Sequence, residues 1–206
     1  METTSPTPYV LPELPYPADA LEPTVSARIM ELHHGTHHAA YVKTANELTE
    51  KLSSLPTDED PTPMNRNLAF NLSGHRLHSL LWTSMSPDGG GEPVGVLGNA
   101  VASCFGDTKT LIDRMTLTIE KLSGSGWAAL SWDSLGRRLV VSQIHDHQHD
   151  HAIGLEPLLV IDGWEHAYYL QYEAAKAKWA AAFWDVADWK SAGARLQAAM
   201  ARPAAA

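Results

Sequence analysis

The sequence predicts an α+β fold: an N-terminal helical hairpin, then a C-terminal domain with a small three-stranded antiparallel sheet flanked by helices. Three observations carry this reading. Val25, Ile29, Leu32, Ala39, Val42 and Leu48 recur at spacings close to a helical turn. Ser86–Gly91 (SPDGGG) is a dense turn signal. After Gly126 the texture changes to short runs rich in β-formers.

The elements follow in order. Residues 1–20 are rich in proline and read as an extended arm. A helix covers about 25–50. Ser53–Pro63 (SSLPTDEDPTP), with three prolines and three acids, breaks the pattern as a loop. A second helix from about Arg66 to Met85 closes the hairpin, giving a first domain over 1–87 and a second over 92–206. Two helical stretches follow, near 94–105 and 107–124. Trp127–Trp132 and Arg138–Ile144, separated by Asp133–Gly136, read as an antiparallel hairpin. Leu155–Ile161 is a third, mostly apolar strand. Trp164 to about Met200 returns to a helical pattern, and the tail Ala201–Ala206 frays.

Composition narrows the function. The 206 residues are 44% hydrophobic and 19% charged, an ordinary balance for a soluble globular chain. No apolar run approaches the roughly 20 residues that a membrane-spanning helix needs. The N-terminus carries no basic region and no apolar stretch, so it does not read as a secretory signal. Cys104 is the single cysteine, which excludes an internal disulfide and fits a reducing cytoplasm. A net charge of −9 argues against nucleic-acid binding, which needs clustered Lys and Arg.

The 11 histidines are clustered. His33, His34, His37 and His38 fall in LHHGTHHAAYV on the first helix. Residues four apart share a face, so His33, His37 and Tyr41 line one side. His34 and His38 lie roughly 100° further round. Such a pair either binds one metal directly or supplies one ligand with a neighbour guarding access. His75 and His78 sit on the second helix, with Trp82 a turn beyond. Asp162 ends the third strand, four residues before His166. Three segments thus offer imidazole or carboxylate beside Trp or Tyr, with no usable thiolate. That donor set suits iron, manganese or zinc and points to a mononuclear metalloprotein.

From about Tyr9 to Trp189 the chain resembles the iron/manganese superoxide dismutases, particularly their actinobacterial branch. YVLPELPYPADALEP is similar to the N-terminal arm of that family, IMELHHGTHHAAYV to its first-helix motif and FNLSGHRLHSLLW to its second. SPDGGGEPVG resembles the inter-domain turn and GSGWAALSWDSLG the first strand. IDGWEHAYYLQY resembles the signature segment DxWEHAYYLQY, which is highly specific. The resemblance implies one Fe, preferred, or Mn per subunit, held by His33, His78, Asp162 and His166. It implies Tyr41 and His37 at the substrate entrance, and Trp127 and Trp164 lining the pocket. His34, His38 and His75 match no ligand position and are expected to pack or hydrogen-bond.

The activity so implied is an antioxidant one, conversion of superoxide to dioxygen and hydrogen peroxide. The alternatives are recruitment as an oxidase on an organic substrate and a non-catalytic metal-binding protein. Family members usually place a glutamine beside the metal's solvent ligand. The second-helix position for it matches Gly74, and the sheet-loop position matches His147, as in actinobacterial iron enzymes. Glu165 matches the residue that pairs with the partner's metal-ligating histidine, here His166, and Tyr169 the one that bonds the partner's gate histidine, here His37. A homodimer is therefore expected, with a tetramer as the further alternative.

Three departures stand out. Thr36 replaces a common Lys, and Tyr172–Ala175 replaces YKNV, while Lys176 keeps the basic entrance position. Leu77 stands where Asn is typical. His145–His151 (HDHQHDH) puts histidines at alternate positions, either as a solvated loop or as an accessory zinc site using His145, His149 and His151.

Overall fold

The helical hairpin starts where Ser26 accepts a hydrogen bond from the Ile29 N–H at the head of helix α1 (Ala27–Leu32). The computed structural model describes residues 8–202; the first seven residues of the expected arm, and the tail from Pro203, lie outside it. Helix α1 runs without a break through a π-helical turn, His33–His38, into α2 (Ala39–Ser53). The sequence reading assumed a regular helix here. The π turn departs from it and brings His33 and His38, five residues apart, both into the interior. Helix α3 (Thr62–Trp82) begins earlier than expected because Pro63 fits the first turn, where no N–H is needed.

Past the glycine-rich turn come α4 (Gly95–Phe105) and α5 (Thr108–Lys121), the latter capped by Asp107. The sheet comprises β1 (Gly126–Asp133), β2 (Arg138–His145) and β3 (Leu155–Asp162). Its order is β2-β1-β3, antiparallel throughout. The central strand is buried from Gly126 to Trp132, so it reads as a continuous apolar run and not as an alternation. At its start a side chain on Gly126 would meet the Ile144 carbonyl, so only glycine admits β2 this closely.

The segment after Trp164 is not one helix. It divides into a 3-10 turn at Glu165–Ala167, α6 (Tyr169–Tyr172), α7 (Lys176–Ala182), another 3-10 turn at Phe183–Asp185 and α8 (Trp189–Met200). Glu173 adopts the left-handed region at φ 50°, which ends α6. Periodicity alone could not see these breaks, because the apolar residues on both sides of each bury into one core.

The last helix and the third strand are fastened to the foot of α3. Arg195 on α8 donates from Nε to the Leu158 carbonyl at 2.7 Å, and from its two terminal nitrogens to Thr83 Oγ1 and the Thr83 carbonyl at 2.9 and 3.0 Å. Ser84, fully buried, donates to the Leu80 carbonyl and accepts from the Val160 N–H. Arg195→Ala should therefore lower stability by about 2–3 kcal/mol, since two carbonyls and a hydroxyl lose a charged donor. The measurement is the urea midpoint of metal-loaded protein; an unchanged midpoint would show that the clamp is dispensable.

Candidate metal centre

Asp162 is placed by the sheet. It closes β3 opposite Trp127, its backbone carbonyl accepts from Trp179 Nε1 at 2.7 Å, and its Oδ1 accepts from the Trp164 N–H at 2.8 Å. Only Oδ2 is left, fully buried and without a hydrogen-bond partner. Around it stand three imidazole nitrogens: His33 Nε2 at 3.1 Å, His166 Nε2 at 3.4 Å and His78 Nε2 at 3.8 Å. All three are likewise buried and unpartnered. The four ligand atoms lie within 4.8 Å of one another. Donors that each sit about 2.1 Å from one ion are spaced by roughly 3–4 Å, so the donor set fits a single first-row metal.

The surroundings set the nitrogens' roles. His78 Nδ1 donates to the Gly74 carbonyl at 2.7 Å, which leaves the Nε2 lone pair facing Asp162. Burial pushes His33 down to about 4 and His78 well below its ordinary range, so both are neutral at pH 7 and able to ligate. Burial alone would raise Asp162, but the facing imidazoles of His166 and His33 outweigh it and hold the carboxyl below its usual range.

The expected entrance residues gather here too. His37, half-buried, stacks on His166 with ring centres 4.3 Å apart. Tyr41 lies 5.1 Å from the His78 ring and 4.8 Å, edge-on, from His147. Burial and the Asp162 charge raise the Tyr41 phenol above its ordinary value, which keeps it protonated. His147 is 2% exposed. Its Nδ1 accepts from Trp127 Nε1 at 3.0 Å, so its proton sits on Nε2, which is buried and unpartnered. Trp164 stacks on the His147 ring at 4.6 Å. A side chain on Gly74 would come within 3.2 Å of both Tyr41 and His147, so the glycine makes the room that His147 occupies.

The remaining histidines hold structure. His34 Nε2 donates to the Pro12 carbonyl at 2.7 Å. His38 accepts from Trp82 Nε1 on Nδ1 and meets His75 Nδ1 at 2.7 Å through Nε2. His151 Nε2 bonds the Leu155 carbonyl, and the ligand atoms that converge on this tract are those of His145, Asp146 and His149 without His151, which corrects the accessory set expected from the tract. Phe70 was missed. It lies 4.7 Å from His147 and 5.9 Å from Tyr41, and its place one turn before Gly74 and two before His78 was the available signal.

The family model "Iron/manganese superoxide dismutases, alpha-hairpin domain" matches residues 8–86, and the corresponding C-terminal domain matches 93–195. The chain belongs to the iron/manganese superoxide dismutase family. It is 44% identical over 194 residues to the superoxide dismutase [Fe] of Mycobacterium tuberculosis H37Rv, covering 93% of this chain and 94% of that protein. It is 45% identical over 184 residues to the superoxide dismutase [Mn] of Nocardia asteroides, with 88% and 89% covered. To the superoxide dismutase [Mn] of Mycolicibacterium smegmatis it is 43% identical over 197 residues, with 94% and 95% covered. Dismutases named for iron and for manganese thus stand equally near, so overall identity does not choose between the ions.

The depressed histidines give a pH dependence. The unfolded chain takes up these protons near 6.5, whereas metal-free His33 and His147 accept them only near 4. Stability contributed by the neutral rings is therefore full above pH 6.5 and is lost as pH falls through 4. The thermal midpoint of metal-free protein should fall across that window; a flat profile would mean that the rings are hydrated.

Proposed function

We propose that this dismutase converts superoxide to dioxygen and hydrogen peroxide with one ion per subunit, iron preferred over manganese, held by His33, His78, Asp162 and His166. The observation that supports it most directly is the convergence of four buried, unpartnered donor atoms from α1–α2, α3, β3 and the turn after it. A bound iron or manganese ion would supply the one-electron redox chemistry that dismutation of two superoxide molecules needs. Three imidazoles and one carboxylate would hold the ion. The protein excludes bulk water with Trp127, Trp164, Phe70 and Tyr41. Two protons must reach the product peroxide. His147 Nε2–H and the Tyr41 hydroxyl are the neutral donors at hand, and both keep their protons at pH 7. His37, stacked on His166, controls the approach.

Iron is preferred because Gly74 offers no side chain and His147 fills the room it leaves, the combination that the resemblance ties to iron enzymes. The family relationship supports dismutation over the oxidase and the non-catalytic readings. The chain is read as two domains, 1–87 and 92–206, with ligands from both. A homodimer through Glu165, His166 and Tyr169 is supported by the exposure of Glu165, of Tyr169 at 50% and of Leu170 at 64%, all beside the centre; a tetramer is the further assembly. A cytoplasmic site of action is in keeping with the single cysteine, Cys104. Among the described residues no helix is long and apolar enough to cross a membrane.

The decisive experiment is pulse radiolysis on protein whose metal has been counted in the same sample. Second-order superoxide decay should track iron or manganese occupancy and vanish in His166→Ala; full occupancy without catalysed decay would refute the reading.

Electrostatics predicts the rate. Lys176 borders a cleft of about 520 Å³ with Trp164, Glu165, His166 and Tyr168, and its ammonium donates to the Leu122 carbonyl at 2.7 Å. Glu165 lines the same cleft, Thr36 adds no charge, and the chain carries −9 overall. Superoxide capture at low salt should be slower than in the M. tuberculosis relative and should fall less with added salt, since steering of anions is weak. Stopped-flow decay at two ionic strengths checks this, and a diffusion-limited, steeply salt-sensitive rate would contradict it.

A further inference from the structure

Apart from the main centre, one other group of metal-ligating side chains converges among the described residues: His145, Asp146 and His149, on the turn that leaves β2. Its backbone is fixed before any side chain is considered. His145 and His149 exchange both backbone hydrogen bonds, at 3.0 and 3.1 Å, and the Asp146 N–H donates to the Ser125 carbonyl at 2.9 Å. Asp146 sits in the left-handed region at φ 51°, a conformation that aspartate tolerates better than most residues.

The side chains are arranged as ligands. His145 Nε2 donates to the Ser123 carbonyl at 3.1 Å, which fixes its tautomer and leaves the Nδ1 lone pair towards Asp146. Asp146 Oδ2 lies 3.8 Å from His145 Nδ1 and 3.5 Å from His149 Nδ1. Those separations are long for direct hydrogen bonds. Two donors about 2.05 Å from a tetrahedral ion stand roughly 3.4 Å apart, so a shift of a few tenths of an ångström completes the site. Two imidazoles and one carboxylate suit zinc-class ions and not calcium or magnesium. His149 is exposed and the other two half-buried, so the ion enters from solvent and water fills the fourth position.

We propose that His145, Asp146 and His149 form a second divalent-cation site, of zinc type, on the turn that carries His147. The site is separate from the main centre because His147 turns the other way, with Nδ1 on Trp127. It is nevertheless mechanically joined to it: the Asp146 carbonyl accepts from Trp164 Nε1 at 3.2 Å, and Trp164 stacks on His147. An ion there braces the segment that presents His147. The inference does not depend on the catalytic reading, and its test needs no activity assay.

The test uses holoenzyme with the main-site iron or manganese counted before and after zinc titration. The expected result is one zinc per subunit in addition to an undiminished main-site metal. In His149→Ala, an exposed position, zinc affinity should fall by on the order of tenfold or more, with main-site metal retained. Amide hydrogen exchange over 145–149 should slow on zinc addition in the wild type and stay unchanged in the variant. If His149→Ala loses main-site metal, the same titration of Asp146→Asn decides. Zinc that only displaces the main-site ion, no second equivalent up to millimolar zinc, or equal binding by the variants would each overturn the proposal.

Discussion

A carboxylate buried to zero exposure among three imidazole nitrogens governs this molecule. An uncompensated ion in such a place costs several kcal/mol, and the facing imidazoles of His166 and His33 offset that cost. A bound cation would add to the compensation, which makes the centre a folding element as well as a reactive one. The rest of the architecture serves to deliver Oδ2 of Asp162 and nothing more of that side chain. Trp179 occupies its backbone carbonyl and the Trp164 N–H its other oxygen.

The π-helical turn solves a related problem. Four histidines in six positions must be sorted between the centre and the frame. A regular helix would pair His33 with His37 and turn His38 aside. The wider turn keeps His37 against His166 while also burying His38, where Trp82 and His75 satisfy both of its nitrogens. Ligand and scaffold histidines thus occupy adjacent faces of one helix without competing for the same ion. Gly74 plays the complementary part across the hairpin, giving up a side chain so that His147 can reach in from the sheet.

Much of this was legible in the sequence, and the reasons differ by element. The strands were readable because β-rich runs lay between strong turn formers, and the hairpin because loop residues 53–63 interrupt two periodic stretches. His33, His78, Asp162 and His166 came from resemblance; spacing alone left His75 and His37 as rivals. The breaks in the C-terminal third were hidden, since each fragment keeps apolar residues inside and periodicity does not register a positive φ at Glu173. Asp146 was overlooked as a partner of His145 and His149 because alternation in a strand would send it to the opposite face. The turn at φ 51° sends it to the same one.

The donors of the centre come from opposite ends of the chain, His33 near the beginning and His166 with only the last helices to follow. His33 and His78 are synthesised well before Asp162 and His166, so the four-donor set is complete only when the sheet has joined the hairpin. Only at that stage does the full set meet its ion. Its identity therefore records which metal the surroundings supplied at that moment, as much as any preference built into the donors.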